Sequence, residues 1–225
     1  MPVDAVAESP GMLSLLPNKR GVLQLLCIGA HSDDLEIGCG GTVLDFVQRL
    51  RLAVTWIVLS GPDERSREAR ASAQAFLSQA HRSRVLVEEF HDGYFPSQYG
   101  KLKDYFEALK GEVDPDVIFT HTGHDLHQDH RLIAELTWNT FRNHLILGYE
   151  IVKYDGDLGS PSVFVPLSRA SRERKVRLLL RTFGTQRSKR WFTPETFNSI
   201  MRIRGVECNA PSGYAEAFYA RKIVI

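Results

Sequence analysis

The stretch "VLQLLCIGAHSDDLEIGCGGTVLDF", Val22 to Phe46, decides how this chain folds. It opens with a nearly continuous aliphatic run, Val22 to Ala30, the composition of a strand covered on both faces. His31, Asp33, Asp34 and Glu36 follow at once, then a cluster of glycines, then apolar residues at helical spacing: Val43, Leu44, Phe46, Val47 and Leu50. The same alternation continues downstream. Apolar runs at Ala53 to Ser60, Arg84 to Phe90 and Asp116 to His121 are separated by helical patterns at Glu64 to Ala80 and Tyr105 to Val113, with another at Leu132 to Phe141. Parallel strands need crossover connections, so this order predicts an α/β fold: a Rossmann-like, mostly parallel sheet with helices on both faces. One domain is expected over residues 21–225, preceded by a flexible arm over residues 1–20. Ligands of such sheets sit beyond the carboxyl ends of the strands, where His31 and the segment after Phe119 both fall.

Composition sets outer bounds. At 225 residues, 43% hydrophobic and 24% charged, the chain reads as globular, with a core that needs no covalent staples. A net charge of +1 offers no field to attract nucleic acid. Cys27, Cys39 and Cys208 are odd in number and fit neither a disulfide framework nor a CxxC metal site. The apolar cluster near the N-terminus is too short for a signal-peptide core, and no run approaches the roughly 18 to 20 apolar residues of a membrane span. A cytoplasmic protein without a transmembrane segment is expected. After about Gly148 the pattern weakens, with a basic helix and loop, a further helix and a final strand in "YAEAFYARKIVI".

Carboxylates at the end of a core strand are costly to bury without a partner. One reading of Asp33 and Glu36 is a helix N-cap with its capping box. That leaves His31 unexplained. If the chain turns helically there, His31 and Asp34 face one side and can reach a common metal, with Asp33 free to touch what the metal holds. The second cluster, "HTGHDLHQDH", spaces His121, His124, His127 and His130 three apart, directly after a core strand. Because parallel strands share their carboxyl edge, His31, Asp34 and His130 can meet as two histidines and a carboxylate with an open fourth position. "GCGG" from Gly38 fails as a dinucleotide fingerprint, since Val43 stands where the third glycine belongs. Those glycines are expected to let a helix pack against the metal-binding loop.

"AHSDDLEIGCGGT" followed by "HQDH" resembles the LmbE-like, or phosphatidylinositol-glycan class L, family of metal-dependent de-N-acetylases, whose motifs are AHPDDxE and HPDH. Arg65 and Glu68 match the family's RxxE, Asp92 and Gly93 its DG, and "YAEAF" its C-terminal end. The resemblance runs from about Val22 over most of the chain. It implies Zn²⁺, or another divalent ion such as Fe²⁺, bound by His31, Asp34 and His130. It implies Asp33 as general base, His127 as the group that steadies the oxyanion or protonates the leaving amine, and Asp129 as the residue that orients an imidazole. Arg65 and Asp92 would hold sugar hydroxyls or a phosphate. Ser32 stands where the family has proline, and Asp125 where some members carry a tyrosine.

The function expected is hydrolysis of the N-acetyl group of an amino sugar that is free, nucleotide-linked or part of a glycoconjugate, by a protein that could form homo-oligomers. Two alternatives stay open: a zinc amidase acting on another acylated amine or thiol conjugate, and a non-catalytic sugar-nucleotide-binding module. Tyr149, Glu150, Tyr154, Asp155 and Asp157 are further pocket candidates, the two tyrosines as substrate contacts. From Arg169 to Arg190 there are nine Lys or Arg and one acid, Glu173. That run reads either as a solvated helix face or as a rim for a phosphorylated substrate, with Trp191 and Phe192 beside it to stack on a sugar or base.

Overall fold

The computed structural model describes residues 21–223, so the arm expected over 1–20 lies outside the described residues. The strands are β1 (Leu23–Gly29), β2 (Leu52–Val58), β3 (Arg82–Val87), β4 (Val117–His121), β5 (Leu145–Tyr149), β6 (Val163–Pro166) and β7 (Ala215–Ala220). They form one sheet in the order β3-β2-β1-β4-β5-β7-β6. The first five are parallel, and β7 runs antiparallel to both β5 and β6. The connecting helices are α1 (Asp34–Gly38), α2 (Gly40–Arg49), α3 (Asp63–Phe76), α4 (Tyr99–Glu112), α5 (Gln128–Thr140), α6 (Arg169–Thr182) and α7 (Pro194–Glu207). None of the described helices is long and apolar enough to cross a membrane.

The period of two along β1 divides the core. Leu25 and Cys27 pack on one face with Val43 and Phe46 of α2 and Val176 and Leu179 of α6. Leu26 and Ile28 pack on the other with Leu102 and Phe106 of α4 and Ile133 and Leu136 of α5. Each fully buried side chain of this kind contributes about 1.5–3 kcal/mol, so both layers hold β1 and β4 rigidly at the centre. Two strands differ from the expectation. β5 and β6 carry no strong signal in the sequence, because Gly148 interrupts β5 and β6 is half-buried and ends in Pro166.

The glycines after β1 pack closely, but against Tyr149, Phe76 and Glu216 rather than against the loop that carries His31. A Cβ on Gly38 would come within 2.2 Å of the Tyr149 ring, and the Tyr149 hydroxyl donates to the Ile28 carbonyl at 2.8 Å. At the same point, Glu216 of β7 accepts from Gly41 N at 2.8 Å and Thr42 N at 2.6 Å, satisfying the start of α2 from a distant strand. The buried Lys175 ammonium bonds that carboxylate at 2.6 Å and the Ile37 carbonyl at 2.6 Å.

Candidate active site

Strand order reverses between β1 and β4, and their adjacent carboxyl ends open the crevice where open α/β sheets place ligands. The two ends are tied directly, since Ala30 N donates to His121 Nε2 at 3.0 Å. From β1 the chain turns into α1, with the His31 amide donating to Asp34 Oδ2 at 2.6 Å. From β4 it loops to α5, whose N-cap is His127, so His130 lies in the first turn.

Three donor atoms converge here. His31 Nδ1 lies 3.1 Å from His130 Nε2 and 3.3 Å from Asp34 Oδ2, and His130 Nε2 lies 3.4 Å from Asp34 Oδ2. Ligands about 2.0–2.1 Å from a tetrahedral zinc ion are separated by about 3.3 Å. The donor set therefore fits such an ion in both chemistry and spacing. The far side of each imidazole is engaged by a carboxylate, as metal-ligating histidines require. His31 Nε2 meets Asp92 Oδ1 at 3.0 Å and Asp129 Oδ2 at 3.2 Å, and His130 Nδ1 meets Asp125 Oδ2 at 2.9 Å. Asp129 is itself fixed by the amides of Gly93 and Phe95 at 2.7 and 3.0 Å.

Charge in the cluster is strongly redistributed. Burial opposes ionisation of Asp34, but His130 and His31 outweigh it and hold the carboxyl well below the usual range. Burial also works against the cationic form of His130, yet Asp34 and Asp125 prevail and raise it to about 9. His121 is the exception: burial and the neighbouring His130 push it down to about 4. Its Nε2 lies 3.3 Å from Asp34 Oδ2, but the Ala30 amide occupies that nitrogen's lone pair. His121 thus serves as a neutral brace between strands. His124 is exposed, with its ring beside Tyr219 at 5.5 Å.

Asp33 and His127 flank the three donors. Asp33 is buried, and burial together with Asp34 raises its carboxyl, while Arg65, 3.8 Å away, and Lys189 act in the opposite direction. Asp33 occupies the N-cap position of α1 but makes no capping hydrogen bond, so the capping-box reading fails. His127 is half-buried, and its Nδ1 accepts from the Asp129 amide at 3.3 Å, which leaves the neutral ring's proton on Nε2. Arg65 donates through Nε to Ser32 Oγ at 3.1 Å and through Nη1 to Asp92 Oδ2 at 2.6 Å. Ser32, where the motif has proline, thereby gives Arg65 an anchor that proline lacks.

Glu36, fully buried, stands behind the cluster. Burial lifts its carboxyl to about 8, Asp33 and Asp34 adding to the shift and Ser72 opposing it. Folded Glu36 thus holds its proton where the unfolded chain has lost it. The stability this gives is complete below about pH 4.5 and is lost as pH rises to about 8. We expect unfolding free energy to fall by on the order of 1 kcal/mol per pH unit across that window, and Glu36→Gln to flatten the slope in urea melts at pH 5, 7 and 8.5.

A model of the PIG-L family, described as GlcNAc-PI de-N-acetylase, matches residues 26–141, just over half of the chain. The chain belongs to this family. A curated relative, the "Uncharacterized deacetylase YaiS" of Escherichia coli (strain K12), is 29% identical over 164 residues, covering 66% of this chain and 82% of that one. Among solved structures, the N,N'-diacetylchitobiose deacetylase of Pyrococcus horikoshii aligns with a TM-score of 0.60 and 17% identity, over 88% of this chain and 83% of that one. GalB, the 4-carboxy-2-hydroxymuconate hydratase of Pseudomonas putida KT2440, aligns with a TM-score of 0.66 and 16% identity, over 90% and 98%. At such identities the two structures speak for the fold alone, and that fold carries two different reactions.

In this PIG-L chain several residues stand apart from their expected places. Tyr149, expected to touch substrate, is fully buried, its ring against His121 and Gly38 and its hydroxyl bonded to Ile28, so it belongs to the core. Phe192 is likewise buried, against Phe197 at 5.1 Å. Tyr154 is exposed on the loop after β5. Glu150 is engaged by Arg204 at 2.7 and 2.8 Å. Much of the basic run on α6 is committed to neighbours: Lys175 to Glu216, Arg174 to Ala75 and Ser78, and Arg172 to the Tyr214 ring. Glu68 of the RxxE pair faces away from the cluster, accepting from Thr185 N and Oγ1 at 2.9 and 2.6 Å and fixing the turn that precedes Lys189. Asp125, noted in the sequence only as a departure, is the partner of His130, and its place five residues ahead in "DLHQDH" was the available signal.

Proposed function

We propose that this chain is a zinc-dependent deacetylase that removes the N-acetyl group of an N-acetylated amino sugar, releasing acetate and a free amine. The observation that carries the reading is the triangle of His31, Asp34 and His130 donor atoms at 3.1–3.4 Å, with Asp33 and His127 beside it. His31, Asp34 and His130 would hold a divalent ion, which would supply Lewis acidity toward an amide carbonyl and lower the pKa of water to about 7. Fe²⁺ suits the same donors.

The chain's own groups do the rest. Asp33 accepts the proton that water gives up as it attacks, and its raised carboxyl makes it a stronger base than an ordinary aspartate. His127 presents Nε2–H as a donor to the developing oxyanion, its tautomer set by the Asp129 amide. The proton taken up by Asp33 then goes to the departing nitrogen, so that acetate and a free amine leave and Asp33 returns to its ionised form. Asp129 orients the His31 ring. Arg65 and Asp92 bind sugar hydroxyls, and the positive field of Arg65 and Lys189 at Asp33 favours a substrate bearing phosphate or nucleotide.

Purified protein with one equivalent of Zn²⁺ is expected to release acetate from at least one member of a panel of N-acetylated amino sugars, free, nucleotide-linked and lipid-linked. A chelator should reduce release to background and added Zn²⁺ should restore it. Metal-loaded protein that releases no acetate from any member refutes the reading.

A further inference from the structure

The loop after β5 brings a lysine to the back of the cluster. Lys153 Nζ lies 3.1 Å from Asp125 Oδ1 and 3.5 Å from Asp155 Oδ2, and it also bonds Asp157 Oδ2. The three carboxylates present oxygens within 4.8 Å of one another, the geometry of a cation site, and the ammonium is the cation that fills it. Its side chain is only 11% exposed and that of Asp125 2%. Asp125 is thus shared: Oδ1 takes Lys153 and the His127 amide, at 2.8 Å, while Oδ2 takes His130 Nδ1 at 2.9 Å. Asp157 closes the ring by accepting from the Leu126 amide at 2.8 Å.

We infer that Lys153 is a positioning residue for the metal centre, holding Asp125 where it fixes His130 with Nε2 turned to His31 and Asp34. The inference rests on the metal-centre reading above. The side chains of Asp125 and Asp157 are buried and that of Asp155 stands exposed beside them, so the carboxylates repel one another and the ammonium offsets that repulsion. Without it, Asp125 is driven from its two loop partners and His130 loses the acceptor that sets its tautomer and ring angle. Loss of such an orienting partner weakens metal binding by about 10–100-fold. A lysine that merely stitched two loops together would affect stability without affecting the ion.

Apo-protein is titrated with Zn²⁺ against a chromophoric chelator, in wild type, Lys153→Met, Lys153→Arg, Asp125→Asn, Asp125→Asn with Lys153→Met, and His130→Ala. Lys153→Gln replaces Lys153→Met, alone and in the double variant, if the methionine variant does not fold. Lys153→Met should weaken Zn²⁺ about 10–100-fold and change the visible spectrum of the Co²⁺-substituted protein, and Lys153→Arg should restore both. In the Asp125→Asn background, Lys153→Met should weaken Zn²⁺ no further, because its effect passes through Asp125. Affinity that depends on His130 but is unmoved by Lys153→Met, with an unchanged Co²⁺ spectrum, overturns the role of Lys153 alone. Additive losses in the double variant also overturn it. Wild type that fails to bind Zn²⁺, or His130→Ala that binds as tightly as wild type, removes the metal centre and this inference with it.

Discussion

Asp33→Asn is expected to keep its metal and lose about 10²–10⁴ in turnover, the range typical of a deleted general base. The carboxamide has nearly the shape of the carboxylate, so the first turn of α1 should survive. None of the three converging donor atoms belongs to Asp33. What disappears is an acceptor whose carboxyl burial and Asp34 have raised above the usual range. Protonation of Asp33 should define the acid limb of the wild-type rate profile, with activity falling as pH drops through it. Measured kcat/KM should fall chiefly through kcat. Metal content equal to wild type, by elemental analysis, completes the test. Loss of metal in this variant would mean that Asp33 is a ligand and the roles are wrongly assigned.

His130→Ala should fail in the opposite order, losing metal first and activity as a consequence. Removing an orienting partner alone costs roughly 10–100-fold in affinity, so loss of one of three ligands should exceed that and leave the protein largely metal-free after dialysis. Turnover should drop by at least about 10³ at stoichiometric Zn²⁺, the scale set by losing both the base's target and the electrophile. The vacated space would also leave Asp125 without its histidine, beside Lys153 alone. Normal zinc content in this variant would refute the assignment of the site.

The strands whose two faces are both covered were legible, because burial on both sides writes a continuous apolar run: β1, β2 and β4 are of this kind. β5 was not, since Gly148 interrupts its apolar residues and polar residues flank it closely. That omission explains the misplacement of Tyr149. Without a strand there, an aromatic among polar residues looks like a loop contact, whereas it is the wall against which Gly38 packs. The convergence of His31, Asp34 and His130 could be anticipated because their two motifs follow core strands at the sheet's carboxyl edge. The link from His130 through Asp125 to Lys153 could not, because it joins loops that follow different strands and depends on which oxygen faces which neighbour.

The hydrogen bond from Ala30 to His121 gives the segments that carry His31, Asp34 and His130 a common mooring at the heart of the sheet. Separating the two segments would then require β1 to part from β4. If the cluster holds an ion as proposed, that ion would meet a nest already assembled, and little of its binding energy would be diverted into ordering the chain.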